Sequence, residues 1–105
     1  MFVKVYQYHI ENDKVDEYLS IQEKASEIYN KYLDFTTIYL QCNEDSTKWM
    51  EISKYKNEEE YQKSINLINK EKDIQELFAA FQSLLVSEKE ISEENYIEKK
   101  VINNY

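Results

Sequence analysis

A chain of 105 residues, 42% hydrophobic and 32% charged, has room for one core and therefore one domain, spanning 1–105. Its net charge is −8 and its 13 basic residues are all lysines, so it offers phosphate backbones neither attraction nor a bidentate fork; nucleic acid and anionic membrane surfaces are excluded as partners. Glycine and proline are absent, which rules out glycine-rich phosphate loops and leaves turns to Asn, Asp and Ser.

Residues 2–10 alternate and are rich in Val, Tyr and Ile, the pattern of a strand. This alternation is unlike the apolar block of a signal peptide, and no apolar run approaches the roughly 18 residues of a membrane span. Asn12 or Asp13 then caps a helix that runs to about Lys31, with Val15, Tyr18, Gln22, Ser26 and Tyr29 on one face. Residues 35–42, "FTTIYLQC", form a second strand, and "NEDS" makes a short polar turn into a third strand over 47–55. Asn57 with Glu60 caps the next helix, and Asp73 with Glu76 repeats the signal. Ile74, Leu77, Phe78, Phe81, Leu84 and Leu85 follow at helical spacing, with Phe78 and Phe81 read as core. "SEKEISEE" is a solvated connection or the frayed start of the last strand, which is "NYIEKKVI", residues 95–102.

Strand, helix, strand, strand, helix pair, strand is the order of an α+β, ferredoxin-like split βαβ fold (βαββαβ). It implies a four-stranded antiparallel sheet with helices on one face. Sorting the strands by parity separates two sets of side chains. Val3, Val5, Ile38, Leu40, Met50, Ile52, Ile97 and Val101 form an aliphatic set, expected to pack under the helices. Tyr6, Tyr8, Phe35, Tyr39, Trp49, Glu51, Tyr55 and Tyr96 form an aromatic and polar set, expected on the bare face. Such a face would expose a large apolar patch unless it met a ligand or a second copy of the chain. A homodimer is therefore expected, with Tyr6, Tyr8, Tyr39, Trp49, Glu51 and Tyr55 as its ligand or dimer face. On that reading a charge placed at Trp49 would split the dimer.

Glu51, flanked by aromatics, could carry a raised pKa and act as an acid or base; the bland reading is a polar residue paired to a lysine or tyrosine. His9, the only histidine, falls near a strand end as an edge polar residue. Cys42 is the only cysteine, so no internal disulfide can form, which fits a reducing, cytoplasmic setting. No cluster of metal-ligand spacing exists, and no metal is expected.

The junction "MEISKYKNEEEY" resembles that of the dimeric α/β-barrel superfamily, and within it the antibiotic-biosynthesis-monooxygenase-like proteins. There an alternating strand ends in Tyr-Glu-x-Trp and runs into an acidic helix start. Tyr55 stands where the family carries its strand-end tryptophan. The helix histidine of the haem-degrading branch has no match in "SINLI", residues 64–68, and Gln7 is the nearest amide to its first-strand asparagine. The resemblance implies a dimeric α/β barrel working without cofactors. The implied activity is monooxygenase-like, on a small aromatic or apolar molecule; the alternative is a non-catalytic dimer that binds a small ligand. No catalytic residue is assigned.

Overall fold

The computed structural model describes all 105 residues, and the expected α+β ferredoxin-like architecture is what it contains. In chain order the elements are β1 (Phe2–His9), a 3-10 turn (Asn12–Lys14), α1 (Val15–Tyr29), β2 (Phe35–Gln41) and β3 (Lys48–Tyr55), then α2 (Glu58–Ile68), α3 (Lys72–Gln82) and β4 (Ser92–Ile97). The sheet order is β2-β3-β1-β4, and every neighbouring pair is antiparallel. No helix is long and apolar enough to cross a membrane.

Local chemistry explains most boundaries. Asn57 caps α2, its Oδ1 accepting from the Glu60 amide at 2.8 Å, while Glu58, Glu59 and Glu60 sit at the positive end of the helix dipole. Asp45 closes the β2–β3 turn by accepting from the Thr47 amide at 3.0 Å and the Thr47 hydroxyl at 2.7 Å. Asn12 does not cap α1; its side chain accepts from Ser46, and the chain enters the helix through the 3-10 turn. Asp73 likewise lies inside the first turn of α3, which starts one residue earlier. β4 runs from Ser92 to Ile97 instead of 95–102, so Ser92, Glu93 and Glu94, the last three residues of "SEKEISEE", pair with β1 as the start of the strand. In a chain without glycine one residue, Glu88, takes a left-handed backbone (φ 66°) in the link to β4.

The two sheet faces are the reverse of the expectation. The aromatic set lies under the helices: Tyr8 and Trp49 are buried with Tyr18 of α1, Phe81 of α3 and Leu84 just beyond it. Phe2 and Tyr55 are buried against Tyr61 of α2. Ring pairs knit these layers, with centroids 5.0 Å apart for Tyr18–Trp49 and Tyr8–Phe81 and 4.6 Å for Tyr55–Tyr61. The aliphatic set faces away. Ile38 and Leu40 are 44% and 47% exposed, and Val5, Met50 and Ile52 are half-buried beside them. Tyr96 pairs with Val3 and so belongs to this outer face, whereas Ile97 pairs with Phe2. Val101 lies beyond the strand, exposed.

Helical spacing in α3 also needs one correction. Phe81 is buried, but Phe78 is 56% exposed and Leu77 half-buried, because α3 overlies a cavity instead of a filled core. Phe81→Ala is expected to cost about 3–5 kcal/mol, and Leu77→Ala under about 2 kcal/mol, since the lost Leu77 atoms border space that is already open. Denaturant unfolding of both variants measures the difference; equal losses would place Leu77 in the packed core.

Candidate functional site

Between the sheet and the helices lies a cavity of about 410 Å³. Its floor is the aromatic face. Its walls are Ile21, Gln22 and Tyr29 of α1, Ile74 and Leu77 of α3, and Asn69 of the α2–α3 turn. The cavity divides the interior, with the Tyr8–Tyr18–Trp49–Phe81 cluster to one side and the Phe2–Tyr55–Tyr61 cluster to the other.

Four side chains form a row across the whole floor. Strand register pairs Tyr39 with Glu51, Glu51 with Tyr6, and Tyr6 with Glu93. The two carboxylates are thus two strand spacings apart, about 10 Å at Cα, yet their surroundings differ sharply. Glu93 meets Lys4 Nζ at 2.7 Å and accepts from the Tyr6 hydroxyl at 3.1 Å. Hydrogen bonding to Lys4 holds its carboxyl below the usual range.

Lys4 is itself only 5% exposed. A second bond to Asn95 Oδ1 at 2.8 Å and the Tyr61 and Tyr6 rings, 5.2 and 5.7 Å from its ammonium, compensate its burial.

Glu51 has no such partner, and neither lysine nor histidine lines the cavity. Burial pushes its carboxyl up, only partly offset by the Tyr8 hydroxyl, which donates to it at 2.8 Å. Because that proton is committed to Glu51, the Tyr18 hydroxyl donates to Tyr8 at 2.6 Å, giving a relay Tyr18–Tyr8–Glu51. Burial, followed by the neighbouring Glu51 charge, raises the Tyr8 and Tyr39 phenols, so both stay protonated hydrogen-bond donors. Tyr39 donates to Gln22 Oε1 at 3.1 Å, tying the floor to α1. Two carboxyl groups in one hollow, one pushed up and one held down, form an arrangement able to take up and hold a proton at Glu51.

Of the residues singled out in the sequence, Tyr6, Tyr8, Tyr39, Glu51 and Tyr55 meet at this cavity. Trp49 packs behind it, 6% exposed, its Nε1 without an acceptor. The five that line it lie in a hollow on the helix side of the sheet, not on its bare face. His9 lies at the far strand end, bonded to Thr47 Oγ1 at 2.9 Å, and Cys42 contacts Glu44. Sequence reasoning missed Glu93 and Lys4. Starting the last strand at Ser92 would have placed Glu93 opposite Tyr6, and parity along β1 puts Lys4 on the face of Tyr6 and Tyr8.

No protein-family model and no curated protein sequence matches the chain. Solved structures do match in fold. A NIPSNAP domain protein from Burkholderia xenovorans superposes with a TM-score of 0.75 at 13% identity, covering 99% of this chain and 100% of that one. SnoaB, a cofactor-independent oxygenase from Streptomyces nogalater, gives 0.72 at 8% identity, covering 98% and 97%. An antibiotic biosynthesis monooxygenase gives 0.65 at 10% identity, covering 93% and 100%. The resemblance read from topology, length and the third-strand junction over nearly the whole chain is thus matched in fold; a shared fold does not carry an activity with it.

Proposed function

We propose that the chain is a cytoplasmic homodimer, one domain per copy, acting as a cofactor-independent monooxygenase-like enzyme on a small aromatic or apolar molecule. The single observation that carries this is Glu51: a carboxyl with a raised pKa on the floor of an aromatic-lined cavity, with space above it for a substrate. A base there would take the proton of a bound phenol. The electron-rich anion would then be oxidised by dioxygen, one oxygen atom entering the ring and the other leaving as water, so that the substrate supplies both electrons. Fold likeness to SnoaB, described as a cofactor-independent oxygenase, adds support.

The homodimer reading now rests on the outer, aliphatic face. Val5, Ile52 and Ile38 form one row across three strands, with Met50 and Leu40 beside it, and no element of the chain covers them. A flat apolar patch of this kind belongs to an interface, and a two-fold copy is its commonest cover.

A non-catalytic small-ligand binder is the second reading. It is favoured by the cavity's lining, which holds no cysteine, histidine or lysine beside its two carboxylates and its hydroxyls. Oxygen uptake with 1-naphthol separates the two. The enzyme should consume one dioxygen per naphthol converted to the quinone, and Glu51→Gln should slow it about a hundredfold. Binding of naphthol without uptake above the uncatalysed rate would leave the second reading.

A further inference from the structure

The row of side chains on the cavity floor contains the same motif twice, once complete and once not. On the β4 side, a carboxylate (Glu93), a tyrosine ring (Tyr6) and an ammonium (Lys4 Nζ) stand together, with 2.7 Å between the charges and 5.7 Å from the ammonium to the ring. On the β2 side, a carboxylate (Glu51) stands between Tyr39 and Tyr6 and beneath Tyr8, but no ammonium of the chain reaches it. A carboxylate among aromatic rings is costly to bury alone and favourable once a cation joins it, because rings and carboxylate both attract positive charge.

The surroundings carry the same sign. The groove between α1 and β2 adjoins the cavity through Gln22, Ser26, Phe35, Thr37 and Tyr39, and its charged residues are Glu23 and Glu27. Neither hollow is lined by any of the chain's 13 lysines, and the net charge of −8 steers cations toward both. An anionic ligand would meet the Glu51 carboxylate with no cation to offset it, since Lys4 is already committed to Glu93.

We propose that the cavity takes a small arylalkylamine in its protonated form, its ammonium against the Glu51 carboxylate and the rings of Tyr8 and Tyr39, its apolar body along Tyr29, Phe35 and Tyr55. The ligand supplies to Glu51 what Lys4 supplies to Glu93. This inference rests on the cavity being the ligand site, and it does not require oxygenation.

Three probes of nearly one shape test it by calorimetry on the intact protein at neutral pH and low salt: 2-phenylethylamine, propylbenzene and 3-phenylpropionate. The amine should bind about tenfold or more tighter than propylbenzene, with 3-phenylpropionate the weakest. Glu51→Gln, which keeps the shape and the Tyr8 hydrogen bond, should bring the amine down to the level of propylbenzene and leave propylbenzene unchanged. Propylbenzene binding as tightly as the amine in the wild-type protein would overturn the proposal while leaving the cavity a ligand site. A preference for the amine that survived in the Gln variant would overturn it too. If none of the three bound, the ligand-site reading would fall with it. The wild-type ranking decides independently of how well the variant folds.

Discussion

Trp49→Glu is expected to unfold the chain, not to dissociate it. The indole is wedged under α1, 5.0 Å from the Tyr18 ring, in the same cluster as Tyr8 and Phe81. A glutamate there loses the ring's packing and buries a charge two residues from Glu51 on the same strand face, in a cluster that contains no cation. Truncating a buried aromatic costs about 3–5 kcal/mol, and an unpaired buried charge costs several more. Those losses together reach the whole stability of an ordinary domain, about 5–15 kcal/mol. Far-UV circular dichroism and denaturant midpoints would record it. A variant with a native-like unfolding transition would mean that Trp49 is not in the core.

The opposite result is expected for Ile52→Glu, one strand position removed from Glu51. Ile52 sits on the outer face, paired with Val5 on one side and Ile38 on the other. Facing water in the isolated chain, a glutamate at this position is solvated and its folding cost is small, about 1 kcal/mol or less. In a two-fold interface the same charge would meet its own copy near the centre, desolvated, and should weaken association about a hundredfold or more. Sedimentation at micromolar concentration should show a wild-type dimer and a folded variant monomer. A wild-type monomer would overturn the homodimer and leave the aliphatic face for another partner.

Element order was legible because its signals are local. Alternation marks β1, β2 and β3, and Asn57 marks the start of α2 with the side-chain bond its position implies. Parity also sorted the strand residues into two sets nearly correctly, since period two is a property of the backbone. It contains no information on which set the helices cover. That depends on what the helices present, and here they present Tyr18, Tyr29, Tyr61 and Phe81, rings that pack edge-on or tilted against the rings of the sheet. Aromatic side chains with hydroxyls looked suited to a wet interface, yet the hydroxyls of Tyr8 and Tyr18 satisfy one another indoors. β4 was misplaced because "SEENYI" lacks apolar alternation, and every residue in it is exposed. One of the four side chains of the floor row, Glu93, was hidden by that slip, together with its bond to Lys4. Glu51 and its tyrosine neighbours were found, because strand parity alone brings them together.

Consecutive residues of one strand now belong to two different surfaces. Glu51 looks into the cavity and Ile52 looks outward, with a single peptide unit between them. β3 is a central strand, hydrogen-bonded on both edges, so it cannot bend toward one surface without displacing the other. If two copies pair through the outer face as proposed, occupancy of the cavity and that pairing would share one mechanical element. Any molecule that binds the paired chain more tightly than the single chain must, by thermodynamic reciprocity, strengthen pairing by the same factor. The concentration of a small molecule would then set how much of the protein is assembled, with no residue at the outer face ever touching it.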